Sequence, residues 1–132
     1  MLFNIRKLAR LCKQEGVELI HARSRAPAWV ALGAARLLKL PFVTTYHGSY
    51  NSRSAVKTLY NSVMARGDVV IANSHYTAGL IQAKHPVAGD RVRVVNRGTN
   101  FSAFAPAAVG AERVQALRKA WGVEPHQRIV LL

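Results

Sequence analysis

Two residue classes are scarce in this sequence, and each scarcity removes a kind of chemistry. Cysteine occurs once, at Cys12, so no internal disulfide and no thiolate metal cluster can be built. A reducing, cytoplasmic setting is expected. Carboxylates number 6 against 19 Lys plus Arg. Glu15, Glu18, Asp68, Asp90, Glu112 and Glu124 are widely spaced, and only the first two are near each other. A glycoside hydrolase or an oxygen-ligated metal site needs two or more converging carboxylates, so both are disfavoured. No uninterrupted apolar run approaches the roughly 18 residues of a membrane span. The opening MLFNIRKLARLCKQEG carries charges throughout and lacks the apolar block and small-residue cleavage site of a signal peptide. Neither G-x-G-x-x-G nor G-x-x-x-x-G-K-[ST] occurs, so a complete nucleotide-phosphate loop is missing.

Positive charge and apolar residues are abundant. The 132 residues carry a formal charge of +13, and 50% are hydrophobic, enough to bury one modest core. Such a surface attracts anions: nucleic acid, anionic lipid headgroups or phosphorylated small molecules. The basic residues are scattered along the chain rather than gathered in one tail or helix. That pattern favours a generally basic globular surface over a nucleic-acid stripe. No nucleic-acid partner is expected, whereas peripheral contact with an anionic membrane is.

Asn4 is a good N-cap, and Ile5, Leu8, Ala9 and Cys12 follow at helical spacing until Gly16 stops the helix. Val17 to Ala22 (VELIHA) is short and apolar, as in a buried strand. Arg23-Ser24-Arg25 is a polar loop, and Pro27 opens a second helix that runs to about Lys39 before Pro41. Phe42 to Tyr46 (FVTTY) is a second strand. A third helix carries Val56, Leu59, Tyr60 and Val63 on one face, with Gly67 beyond it. Val69 to Ala72 (VVIA) is a third strand, Asn73 and Ser74 are alternative caps for a short fourth helix closed by Pro86, and RVRVV (Arg91 to Val95) reads as a strand near a sheet edge. FSAFAPAAVGA has the composition of a linker. A last helix presents Val114, Leu117 and Trp121 and ends at Gly122, and RIVLL begins another strand.

Strand–helix alternation with short links specifies an α/β fold: a Rossmann-like parallel sheet with helices on both faces. Ligands of such sheets bind beyond the carboxyl ends of the strands, which directs attention to the loops after Ala22, Tyr46, Ala72 and Val95. His47 and Gly48 follow the second strand. The imidazole can donate to or accept from a ligand hydroxyl near neutral pH, or it can cap a strand end with no ligand. Asn73 and Ser74 start a helix whose free N–H groups form a weak anion site, or they serve as caps alone. Arg97 brings charge to the ligand edge, and Gly98 allows a turn with positive φ. Arg23 and Arg25 suit a phosphate held by forked hydrogen bonds, or a solvated loop. Phe101 and Phe104 read as packing aromatics. His75 and His85 are expected to face solvent, and His75 has no second metal ligand at helical spacing.

Together, ELIHARSRAPAW, FVTTYHG, GDVVIANS and RVRVVNRGTNFSAFAP resemble, in order and spacing, the pattern of glycosyltransferase family 4 with its GT-B fold, over roughly Met1 to Pro106. ARSRAPAW with TTYHGSY and YNSVMARGD resembles a bacterial subgroup that builds lipopolysaccharide or related surface glycans. The resemblance implies two Rossmann-like domains facing a cleft. The N-terminal one would bind a glycan or lipid-linked acceptor and the C-terminal one a nucleotide-diphosphate sugar donor. It also implies retention of anomeric configuration, with no metal or other cofactor. His47 matches the family's histidine near the transferring sugar, and Gly48, Arg23, Ser24, Asn73, Ser74, Arg97 and Gly98 line the same cleft. On this reading 1–100 is part of the acceptor domain, 101–111 the interdomain linker and 112–132 the start of the donor domain.

The family's opening Gly-rich loop would precede Met1, and its donor-binding Arg, Lys and glutamate pair would follow Leu132, so the chain alone is expected to be inactive. At Thr99-Asn100 many members have Val-Asp; Asn100 keeps the turn-forming chemistry without the charge. The competing readings are a basic nucleic-acid-binding module and a non-catalytic interaction domain.

Overall fold

The computed structural model describes residues 1–48, 50 and 54–131. It divides into two compact units, Met1–Arg97 and Gly98–Leu132. The first contains helices α1 (Leu2–Gln14), α2 (Arg25–Leu38), α3 (Ala55–Ser62) and α4 (His75–Lys84), with strands β1 (Ile20–Ala22), β2 (Phe42–Tyr46), β3 (Val69–Ala72) and β4 (Val92–Val94). The strands form one sheet in the order β1-β2-β3-β4. Every neighbouring pair is parallel, with Ala22 beside Thr44, Thr44 beside Val70, and Val70 beside Val92. The result is the Rossmann-like α/β arrangement expected, a parallel sheet with helices around it. No helix among the described residues is long and apolar enough to cross a membrane.

Small residues let α2 lie close to its neighbours. Its buried residues are Ala28, Ala31, Ala34 and Ala35, and they join Phe42, Tyr46, Val63, Met64, Val70, Ala72 and Ile81 in the core. At Gly33 a Cβ would come within 2.5 Å of Ile5 Cδ1, so the α1–α2 packing requires glycine or a shifted Ile5. The buried Thr44 hydroxyl donates to the Met64 carbonyl at 2.7 Å, satisfying two groups that would otherwise be costly inside. Asp68 accepts from the Phe42 N–H at 2.8 Å and from Arg36 at 2.9 Å. Burial works against its charge, but those two bonds outweigh it and hold the carboxyl below its usual range.

Several element ends differ from the sequence reading. α1 begins at Leu2 with Met1 in the cap position, leaving Asn4 inside the helix. β1 holds only Ile20–Ala22 of the VELIHA segment. The Val17 N–H is taken by the Cys12 carbonyl at 2.9 Å and the Gly16 N–H bonds Lys13 O at 3.4 Å, so a helix-ending turn consumes the groups a longer strand would need. Lys39 ends α2 in the left-handed region at φ 56°, with the same pair of bonds from Leu40 to Ala35 and from Lys39 to Arg36. Val56, Leu59 and Tyr60 of α3 are exposed, contrary to the expected apolar face. Here the helix tightens into a 3₁₀ turn, Val63–Ala65, and those three residues enter the core instead. Pro86 opens a further 3₁₀ segment, Pro86–Arg91, that leads into the edge strand β4.

In the second unit, the segment read as a linker holds α5 (Phe101–Phe104) and a 3₁₀ turn, Pro106–Ala108, followed by α6 (Ala111–Ala120). Asn100 caps α5 by accepting from the Ala103 N–H at 3.2 Å. Phe101 and Phe104 are exposed and are not the packing aromatics expected, because a one-turn helix has no opposing surface in this unit. Residues 128–131 are not in a strand, since no neighbouring strand in the unit offers them a ladder.

Candidate functional site

Parallel strands deliver their following loops to one end of the sheet. Arg23 and Ser24 leave β1, His47 and Gly48 leave β2, Asn73 and Ser74 leave β3, and Arg97 follows β4. Gly98 belongs to the second unit. Positive φ among the described residues is confined to Gly16, Lys39 and Gly122, so neither Gly48 nor Gly98 supplies the left-handed turn that glycine suggests. Space does not require glycine at 48 either, since a Cβ there would meet nothing within 4 Å.

His47 is held through its ring and both ends of its backbone. Arg97 Nη2 lies 2.9 Å from His47 Nδ1. A guanidinium has no acceptor, so Arg97 donates, Nδ1 accepts, and the ring proton sits on Nε2. Asn73 Nδ2 donates to the His47 carbonyl at 3.2 Å. Asn73 Oδ1 in turn accepts from the Thr77 hydroxyl at 2.7 Å, and that hydroxyl accepts from Ser74 at 3.0 Å. Ser74 also caps α4 through the Thr77 N–H at 3.1 Å. Asn73 and Ser74 therefore share the work their two readings divided between them: Ser74 is the cap, and Asn73 fixes the neighbouring loop. The Tyr50 hydroxyl accepts a bond from the His47 backbone N–H.

Burial, then the charges of Arg97, Arg23 and His21, push the His47 imidazole below its ordinary range. At neutral pH the ring is uncharged and presents an Nε2–H, a donor rather than a base. Arg23 is exposed at the end of β1. Ser24 occupies the cap position of α2, but its hydroxyl makes no capping bond.

Arg25 does not lie in a solvated loop. It opens α2, donates to Asn61 Oδ1 at 2.8 Å, and lies over the Tyr50 ring at 4.7 Å and the Tyr60 ring at 5.7 Å. Tyr50 also contacts Tyr46, with ring centroids 4.5 Å apart. His85 is half-buried, 6.5 Å from the Tyr46 ring, and not turned to solvent as expected; His75 is exposed. Desolvation, followed by the charges of Lys84 and Arg66, depresses the His85 pKa. Three participants had no sequence signal: Tyr50, Thr77, and His21, whose Nε2 is 2.7 Å from Thr45 Oγ1. Only strand register brings His21 beside Thr45.

The first unit is polarised. Its four carboxylates sit at the amino side of the strands: Glu15 and Glu18 before β1, Asp68 before β3 and Asp90 before β4. Within that unit no carboxylate follows a strand. Among the described residues no group of three His, Cys, Asp or Glu comes together as metal ligands.

The sequence profile described as Glycosyltransferase Family 4 matches residues 1–103, which takes in all four strands and the loops that hold His47. The chain belongs to glycosyltransferase family 4. This family 4 chain is also similar to a solved structure, a glycosyltransferase from Rickettsia africae ESF-5, at a TM-score of 0.75 and 32% identity. The match covers 95% of this chain and 33% of that one, so the family 4 segment here spans about a third of the solved protein. No curated protein matches it.

Proposed function

We propose that this chain supplies the acceptor side of the active site of a retaining, metal-independent glycosyltransferase. The enzyme would move a sugar from a nucleotide-diphosphate sugar to a glycan or lipid-linked acceptor in bacterial lipopolysaccharide or surface polysaccharide synthesis. The observation that carries the reading is the Arg97–His47 bond, found at the carboxyl end of a parallel sheet in a family 4 chain. It leaves a neutral imidazole whose remaining ring N–H, on Nε2, is a donor. Sugar transfer builds charge on the separating groups, and a donor already held in position stabilises that charge without reorganising.

The site of action would be the cytoplasmic membrane surface. α1 carries Arg6, Lys7, Arg10 and Lys13 with no acidic residue, and Met1, Leu2 and Phe3 at its start are exposed. A cationic helix with apolar residues at one end suits peripheral contact with anionic headgroups.

The test is His47→Ala in the enzyme that contains this chain, with turnover measured on nucleotide-sugar donors. Losing a well-placed donor costs about 3–4 kcal/mol of transition-state stabilisation, so kcat should fall by a factor on the order of 10² to 10³. The melting temperature should hold, because His47 is at a loop. His75→Ala should leave turnover unchanged. Near-full turnover in His47→Ala would return the residue to a strand-end cap.

A further inference from the structure

A run of hydrogen bonds joins the first turn of α4 to the His47 carbonyl, and its direction is fixed at both ends. The Thr77 N–H, which can only donate, bonds Ser74 Oγ at 3.1 Å. Ser74 donates its hydroxyl proton to Thr77 Oγ1 at 3.0 Å, Thr77 donates to Asn73 Oδ1 at 2.7 Å, and Asn73 Nδ2 donates to the His47 carbonyl at 3.2 Å. A carbonyl can only accept, so the Asn73 amide turns its nitrogen to His47 and its oxygen to Thr77. Thr77 is 3% exposed, and its hydroxyl is what holds Asn73 in that orientation. The last bond matters because of what adjoins it. The peptide carrying the His47 carbonyl ends at Gly48, the residue type with the most backbone freedom, and nothing lies within 4 Å of where a Cβ would stand there. Packing at position 48 therefore does not fix that peptide. Arg97, exposed and on a long side chain, can follow the ring: its bond selects the tautomer rather than the place of the imidazole.

We infer that Thr77 is a positioning residue, which acts through Asn73 to fix the 47–48 peptide and with it the place of the His47 imidazole. The effect on turnover rests on the proposed role of His47 in sugar transfer; the effect on the peptide does not. A donor aimed at developing charge works only within a narrow geometry. Loosening its backbone removes an interaction made in the transition state, so kcat falls while KM is little changed. A residue that merely packed α4 would instead change the melting temperature and leave kcat per folded molecule as it was.

The test uses the enzyme that contains this chain, isotopically labelled at glycine. Thr77→Val removes the hydroxyl at nearly constant volume, and Thr77→Ser keeps it. The NMR amide signal of Gly48, the N–H of the peptide whose carbonyl Asn73 holds, should shift in Thr77→Val and return in Thr77→Ser. In Thr77→Val kcat should fall by about fivefold to tenfold, the scale of one hydrogen bond, at unchanged KM, and Thr77→Ser should restore it. Asn73→Ala should reproduce both changes. Adding Thr77→Val to it should lower kcat no further, because the two residues act as one unit. Ile81→Val trims the core side of the same helix and should lower the melting temperature without moving either readout. An unmoved Gly48 signal in Thr77→Val, a further loss of kcat in the double variant, or equal effects from Ile81→Val would make Thr77 a packing residue and overturn the inference. Should Thr77→Val unfold, Asn73→Ala, at a half-buried loop position, carries the test, and an unmoved Gly48 signal there overturns the inference equally. Turnover retained in His47→Ala would sink the transfer role of His47 and leave the Gly48 result standing. Turnover lost in His47→Ala but retained in Thr77→Val and Asn73→Ala would sink only the positioning.

Discussion

Between Arg97 and His47 runs a hydrogen bond that can point only one way, and it sets the protonation chemistry of the residue at the centre of the site. Burial is the first cause of the lowered His47 pKa and Arg97 the second. Arg97→Gln should therefore raise the NMR titration midpoint of His47 from below 6.5 toward that value without reaching it. A midpoint that does not move would show that Arg97 leaves the ring's basicity unaffected. The sign for stability follows from linkage. Above pH 6.5 neither the folded nor the unfolded chain holds this proton, and the full stability is present. As pH falls below 6.5 the unfolded chain takes up a proton that the folded ring resists, so stability declines down to the folded pKa. His85, also lowered, acts in the same direction. The urea midpoint should accordingly be lower at about pH 5.5 than at about pH 7.5.

At the scale of elements, two glycines separate what a helix interface tolerates from what a strand entry does not. A Cβ on Gly67 would fall 2.5 Å from the Val69 carbonyl oxygen and 2.8 Å from Thr44 Oγ1. Those neighbours are backbone and a hydroxyl already bonded to Met64, so neither can yield. Gly67→Ala should destabilise by about 1–3 kcal/mol or more, as overpacking does. At Gly33 the obstacle is the far end of Ile5, a flexible side chain on an outer helix. Gly33→Ala should cost less, and chemical denaturation of both variants orders them. The reverse order would mean that the β2–β3 junction is looser than its geometry. The sequence placed Gly67 only beyond a helix; its closeness to Thr44 comes from parallel pairing of segments 23 positions apart in the chain, at 44 and 67.

The whole molecule carries +13, and its proposed membrane contact is electrostatic with an apolar contribution from the start of α1. Each basic residue near an anionic surface contributes about 1 kcal/mol, within roughly a Debye length. Sedimentation with anionic vesicles should show binding that weakens steeply as salt rises. Replacing Arg6, Lys7 and Arg10 by glutamine should reduce it far more than the same change at three basic residues outside α1. Equal binding to neutral vesicles would remove the electrostatic basis.

Element order and strand identity were legible because they depend on local chemistry. FVTTY and VVIA are β-branched, apolar runs of strand length between loop signals, and both were read to the residue. His47 and Arg97 were legible as loop residues because parallel topology sends every such loop to the same end of the sheet. Their mutual bond was not legible: 50 residues separate them, and periodicity carries no information at that range. Arg25 was misread for the same reason. Its polar neighbours suggested a loop that either held a phosphate or was solvated, but Tyr50, Tyr60 and Asn61 converge on it from later in the chain. Local propensity and hydrophobic period determine which segments become strands and helices. Which side chains then meet is decided by register and packing, whose energies exist only between segments already brought together.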